Sequence, residues 1–379
     1  MARPIASIES YRVLAILGVI VWHTGYLLSL IDLGGGSLLV TITVNLVWWV
    51  SLPYFFIVAG YFFADSVQRD GKPIAHLMRY ISSLLWVFLA WICIYALVPF
   101  NVLAAVRDNG LLQPFYSEAV KNLNLLASKH VWVFLEPKPT LGYLWFFPAL
   151  LFSLAVLTLM TVYKLQRYVM VMILFLYVVA VAEGPVGGLW SLAVLFTALG
   201  WWLSGRSQPA VRTALWMILG GYVLALIEGA AMREWFNRTA DEISQHYFLG
   251  GIILALGIFM LTLAKPNLGQ STQLPILAKY TLGVYVCHIL VISTIIPLAW
   301  RLQSRFVLWE LLFTIAFSLT VYGLALLLTV TLSKFPQARY LVVKYPQWTS
   351  TPSQSINITN TVLRVWHSTW RRQLYKRPY

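Results

Sequence analysis

Along most of the chain, apolar residues run for about 20 positions at a time, the length a helix needs to cross a hydrocarbon core. Polar residues, Pro and Gly gather in short clusters between the runs. Reading these windows with their breaks predicts ten membrane helices, at about 8–30, 40–63, 80–100, 142–163, 168–183, 186–204, 211–229, 247–264, 282–300 and 306–332. The fifth and sixth are divided only by the stretch "EGP" at 183–185. The expected fold class is therefore all-α, a polytopic integral membrane protein with one membrane domain over 1–333 and a basic tail over 334–379. No window is long and polar enough to hold a large soluble domain.

Composition agrees with the pattern. Hydrophobic residues make up 60% of the 379 positions and charged residues 11%, with a mean hydropathy of +0.75. Soluble domains carry about 25% charged residues. The first apolar stretch has an Arg and a His inside it and no small-residue cleavage site after it, so it reads as a retained helix and not a removable signal. Cys93 and Cys287 both fall within spans, which argues against a disulfide framework or a metal cluster.

The net charge of +14 would suggest nucleic acid in a soluble protein. Here the cations sit mainly between and after spans, where they face lipid headgroups, so membrane lipid is the expected partner and nucleic acid is not. With the N-terminus in the cytoplasm, nineteen of the 27 Lys and Arg fall on the inner side, and both termini are expected there. Arg301 and Arg305, in a short outer loop, run against the trend. Two outer loops are long, 101–141 with a candidate amphipathic helix at "FYSEAVKNLNLL", and 230–246. The tail ends "WHSTWRRQLYKRPY", a mixture of Trp and Arg suited to a membrane surface.

The chemistry starts in the first span, "YRVLAILGVIVWH". Arg12 and His23 are eleven residues apart, about three helical turns plus 20°, with a rise of about 16 Å. They share one face, and Glu9 can pair with Arg12 at i,i+3. Charged groups within a span usually face the bundle interior and mark a site or a pathway, although Arg12 also suits a snorkelling anchor and His23 a hydrogen-bonded packing residue. His23 can accept and return a proton near neutral pH, or act as a nucleophile. The planar Arg12 fork fits a phosphate. Together they suggest a substrate with a phosphate at the cytoplasmic surface and a reactive group half a bilayer deeper.

Four stretches then carry a family resemblance. "IESYRVLAILGVIVWH" resembles the opening motif of the membrane-bound acyltransferase-3 family, with its Arg and His ten residues between. "SLPYFFIVAGYFF" (51–63) is similar to that family's Pro-aromatic-aromatic-Gly-aromatic signature, "LGYLWFFPALL" (141–151) to its Leu-Trp-Phe segment, and "YTLGVYVCH" (280–288) to its Gly-x-Tyr-x-x-His segment. Each motif is weak alone, and the ordered set is strong. The resemblance implies O-acyl transfer in a bacterial inner membrane. The acyl group, commonly acetyl, passes from cytoplasmic acetyl-CoA or another acyl-CoA to a hydroxyl of an envelope polysaccharide, glycolipid or similar acceptor. It implies that His23 carries the acyl-transfer chemistry, with Arg12 close to the donor, and Glu9 and Arg12 complete the expected catalytic set.

The loop 65–79 offers Arg69, Lys72, His76 and Arg79 for the CoA phosphates. Relatives often have Arg-x-x-Arg here; Arg79 keeps the second position and His76 stands at the first. Glu9 replaces the more usual Asp. Tyr285, His288 and Trp145 are candidates for an acceptor pathway, and Trp145 also suits packing. Pro53 is expected to kink the second span and Gly60 to let helices approach. Asn45 and Glu228 are candidates for interhelical hydrogen bonds, and Glu183 for a tight outer turn. No metal is expected, since the six His are scattered without i,i+4 spacing, and no G-x-S-x-G elbow is present. The alternative function is a secondary transporter or flippase that uses Glu9, Arg12 and His23 as a relay. Absence of a visible repeat counts against it.

Overall fold

The computed structural model describes residues 5–27, 38–99, 102–110, 112–129, 142–237, 248–302 and 307–342, and every element among these described residues is helical. The order is α1 (Ala6–Leu27), α2 (Leu38–Asp70), α3 (Pro73–Leu97), α4 (Val102–Asn109), α5 (Gln113–Lys129), α6 (Phe146–Val162), α7 (Val169–Leu203), α8 (Val211–Phe236), α9 (Leu249–Ala264), α10 (Leu274–Leu277), α11 (Thr281–Leu302), α12 (Val307–Lys334) and α13 (Pro336–Val342). Short 3₁₀ turns precede α6, α7 and α11. In hydrocarbon each backbone N–H and C=O must be satisfied within its own segment, so apolar runs of this length become helices.

Among the described residues, six helical stretches are long and apolar enough to cross a membrane, namely Ala6–Thr24, Trp49–Asp70, Pro73–Leu97, Val211–Phe236, Leu274–Ile296 and Leu312–Lys334. Four shorter apolar stretches accompany them, Phe146–Val162, Gln166–Ala182, Gly188–Leu203 and Leu249–Ala264. The amphipathic stretch expected in the loop 101–141 lies in α5, where buried Asn122 donates from Nδ2 to the Ala96 carbonyl at 3.0 Å and so ties α5 to the end of α3.

One end of the bundle gathers residues from far apart in the chain. Ser7 N–H donates to the Pro266 carbonyl at 3.1 Å, and the Ser7 hydroxyl to Thr262 O at 2.5 Å. The Gln208 amide donates to Leu263 O at 2.9 Å. Gly205 packs on the Gln68 side chain, and Thr161 and Val162 share a cavity with Gly71 to Ala75. This has a consequence for α7. Its start follows Val162 closely and its last turn precedes Gly205, so both ends lie at this one end. A straight 35-residue helix would hold its ends about 50 Å apart. The segment therefore runs out and comes back, with Gly184, Pro185, Gly187 and Gly188 in its middle. Its returning half is the buried one, with residues 192 to 201 all inside the bundle.

That half meets α2 at close range. A Cβ at Gly60 would stand 1.9 Å from the Thr197 carbonyl oxygen, and one at Gly200 would stand 1.9 Å from the Ile57 carbonyl oxygen. Two backbones approach this closely only where side chains are absent. The approach expected at Gly60 is present, while α2 continues as helix through Pro53.

Glu228 is interhelical, but its partners are backbone groups. Its carboxylate accepts Leu249 N–H at 3.2 Å and Gly250 N–H at 2.9 Å, and so caps the first turn of α9 from a neighbouring helix. Glu228→Ala should lower stability by about 1 kcal/mol, the usual cost of a lost cap, and Glu228→Gln, which keeps an acceptor oxygen, by less. Thermal unfolding of the detergent-solubilised protein followed by fluorescent size exclusion checks this; equal melting points for wild type and the Ala variant would contradict it. The side chains of Asn45, Glu183 and Arg301, the loop at Arg305, residues 238–246 and the tail beyond Val342 lie outside the described residues.

Candidate functional site

The site is built on the pairing of the first long helix with the penultimate one. At the gathered end, Arg12 Nη1 donates to Glu9 Oε2 at 2.9 Å, and Nη2 donates to the Thr281 hydroxyl at 3.1 Å. Thr281 in turn donates to Ala278 O at 2.8 Å, which fixes the hydroxyl with its lone pairs toward the guanidinium. The fork is thus held by both helices. Its side chain remains 26% exposed, so N–H groups are left for an anion. Around it stand Tyr54 and Tyr80, both within electrostatic reach of the guanidinium. Tyr11 packs on Tyr54 with ring centroids 4.5 Å apart, and Tyr54 donates to the Thr262 hydroxyl at 3.3 Å.

Three turns further along α1, His23 again faces α11. Its ring centroid lies 5.3 Å from that of His288 and 4.9 Å from Trp22. Arg12 and His23 therefore occupy one face, as helical arithmetic requires, and the same partner helix covers both. His23 is half-buried; His288 is 1% exposed. His288 donates from Nδ1 to the Tyr285 carbonyl one turn back.

A run of aromatic rings leads from the two histidines. Tyr285 lies 5.7 Å from His288 and 5.5 Å from Phe146, Phe146 lies 4.7 Å from Phe56, and Phe56 lies 6.1 Å from Trp145. The four motifs read in the sequence, from α1, α2, the start of α6 and α11, thus converge on one place. The acyltransferase-3 family, whose matching segment is described as an acyltransferase domain, matches residues 5–333.

The chain belongs to that acyltransferase family. No curated protein and no solved structure matches it significantly. It is an acyltransferase with several membrane-spanning helices, and the family match covers all four motifs.

The stretch 65–79, expected as a loop, is the end of α2 and the start of α3 with only Gly71 and Lys72 between them, and two of its four basic side chains are held by neighbouring acids. Arg69 Nη2 donates to Asp65 at 2.6 Å, and His76 Nε2 bridges both oxygens of Asp70 at 2.9 Å. Lys72 and Arg79 make no ion pair among the described residues, and Arg79 is exposed. Lys72 lines a cavity of about 460 Å³ with Gly71, Pro73, Ile74, Ala75, Thr161 and Val162. Tyr80, the residue after Arg79, lies within electrostatic range of Arg12, which brings the start of α3 to the Arg12 end of the site. No group of three His, Cys, Asp or Glu is placed to hold a metal among the described residues.

Two polar partners escape a reading of the sequence. Thr281, the second anchor of Arg12, opens the stretch "TLGVYVCH", and only its place at the start of that motif hints at it. Thr262 links Ser7 to Tyr54 from within an otherwise apolar helix, a signal shared by many buried Thr residues that simply bond their own helix.

Proposed function

We propose that the acyltransferase moves a short acyl group, acetyl first among the candidates, from cytoplasmic acyl-CoA to a hydroxyl of an envelope polysaccharide, glycolipid or similar acceptor. It does so as a ten-pass protein of a bacterial inner membrane with both termini in the cytoplasm. Arg12 holds the donor's phosphates with help from Arg79 and Lys72. Arg69 and His76 contribute once their own acids release them, and Glu9 orients Arg12. His23 acts as general base or as a transient acyl carrier. Tyr285, His288 and Trp145 border the path by which the acceptor arrives.

The observation that carries this reading is the placement of Arg12 and His23 on one face of α1, about 16 Å apart along the axis, against the same neighbouring helix. CoA has charged phosphates at one end, a long thin arm and a thioester at the tip. Its chemistry matches a fixed cation at the surface and an imidazole within the membrane. The six long and four shorter apolar helices, with α7 leaving and returning to one end, support ten passes. The excess of Lys and Arg on that end's loops supports its placement in the cytoplasm. The transporter reading is not favoured, because the family is one of acyltransferases.

The test uses purified full-length protein in nanodiscs with acetyl-CoA and isotopically labelled CoA, measuring label exchange and acetyl consumption. Wild type should consume acetyl-CoA. Arg12→Lys keeps the charge but cannot bridge Glu9, Thr281 and a phosphate together. Loss of one charge-assisted hydrogen bond, about 1.5–3 kcal/mol, should raise the KM for acetyl-CoA by roughly 10- to 150-fold with a smaller change in kcat. Failure of acetyl-, propionyl- and succinyl-CoA alike to react would sink the donor assignment, and an unchanged KM in Arg12→Lys would remove Arg12 from it.

A further inference from the structure

The chemistry proposed above needs one imidazole, and the site holds two. His288 is almost wholly buried at 1% exposure, where a polar atom without a partner is costly. Its Nδ1 is committed to the Tyr285 carbonyl. A carbonyl only accepts, so in the neutral ring the proton sits on Nδ1 and the lone pair on Nε2. That Nε2 has no hydrogen-bonding partner among the described residues. The His23 ring lies beside it at 5.3 Å and the Tyr285 ring at 5.7 Å, centroid to centroid. A packing residue gains nothing from an imidazole here. A fixed tautomer with an unused lone pair next to a second imidazole suits a proton acceptor kept for a group that the substrate brings.

We propose that His288 is the general base of the acceptor half of the reaction. Its Nε2 takes the proton of the acceptor hydroxyl as that oxygen attacks the acyl carbon carried by His23, and passes it to the His23 ring. The inference rests on the acyl-transfer reading of His23 and commits it to the carrier form. In the donor half, a ring nitrogen of His23 attacks the thioester carbonyl, the carbon–nitrogen bond forms and the carbon–sulfur bond breaks. CoA leaves as the thiol with the proton from the other ring nitrogen, and a neutral acyl-imidazole remains. In the acceptor half, the oxygen–carbon bond forms, the carbon–nitrogen bond breaks, and the hydroxyl proton reaches His23 through His288. Both rings end neutral, as they began.

The two halves can be read separately with the full-length protein in nanodiscs. Exchange of labelled CoA into acetyl-CoA reports the donor half. Hydroxylamine, which attacks an acyl-imidazole without help from a base, reports the carrier as acetohydroxamate. Acetyl transfer to water and to octyl glucoside reports attack by a hydroxyl. His288→Asn keeps an N–H donor for the Tyr285 carbonyl and removes the base. It should leave exchange and hydroxamate formation within about threefold of wild type and lower transfer to hydroxyls by roughly 100-fold or more, the scale of general-base catalysis. His288→Gln, with a polar group at the Nε2 end and no base, should show the same split, and it is read alone if the Asn variant does not elute as a monodisperse protein. Exchange and trapping that fall as steeply as hydroxyl transfer would overturn the proposal, as would hydroxyl transfer that does not fall. So would a wild type that traps acetyl on hydroxylamine yet never acylates a hydroxyl. A wild type that consumes acetyl-CoA with neither exchange nor hydroxamate overturns the carrier on which the proposal rests, an outcome separate from any effect of His288.

Discussion

His23→Ala should abolish acyl transfer while leaving a protein that inserts, folds and elutes like wild type. The reasoning separates chemistry from packing. The His23 ring is half-buried, and Trp22 and His288 are among its ring contacts. Truncation therefore opens space at the edge of the core and not within it, where large losses of stability arise. What is lost is the imidazole opposite His288. A general base contributes roughly 10²- to 10⁴-fold, and loss of an acyl carrier removes the route altogether, so activity should fall by at least about 100-fold and more if His23 carries the acyl group. His23→Gln, closer in volume, should be equally inactive, because shape is not the property that matters. Activity is read as CoA released per folded protein, with folded protein measured by size exclusion. Near-normal turnover in either variant would remove His23 from the reaction.

The second large effect is structural. Gly60→Leu and Gly200→Val should each prevent accumulation of folded protein. The first atom of either side chain would meet a backbone carbonyl at 1.9 Å, Thr197 O in one case and Ile57 O in the other. Overpacking a flexible core costs about 1–3 kcal/mol. Here the obstacle is backbone on both sides of one crossing, so the helices themselves must part, and the cost should exceed that range. Gly220 provides the contrast, since a Cβ there meets nothing within 4 Å. Gly220→Ala should be neutral or stabilise by up to about 1 kcal/mol through helix propensity. Expression and thermal stability in detergent measure all three. Folded Gly60→Leu at wild-type yield would mean that α2 and α7 do not cross as closely as described.

Much of this was legible in the sequence because it is local. Eleven residues of helix determine that Arg12 and His23 share a face, and three residues determine that Glu9 can reach Arg12; both relations are present. The amphipathic stretch in the loop 101–141 and the close approach at Gly60 were legible for the same reason. Relations between distant segments were not. Thr281 binds Arg12 across 269 positions, and nothing in either stretch names the other. The division of the apolar run 168–204 at "EGP" anticipates its outward and returning halves, which are helical on both sides of that stretch. Between 65 and 79, Asp65 and Asp70 at the end of α2 hold Arg69 and His76, pairings that composition alone does not give. Charge can be counted from a sequence, whereas its availability depends on geometry.

The pairing of α1 with α11 also bears on how the enzyme is made. His23 leaves the ribosome 265 positions before His288; at about 5–20 residues per second, tens of seconds separate them. Until α11 has been inserted and docked, Arg12 lacks its second anchor and His23 lacks its neighbour. A nascent chain that lacks α11 therefore holds neither end of the site in its finished form, and the site is complete only once two helices far apart in the chain have met in the membrane.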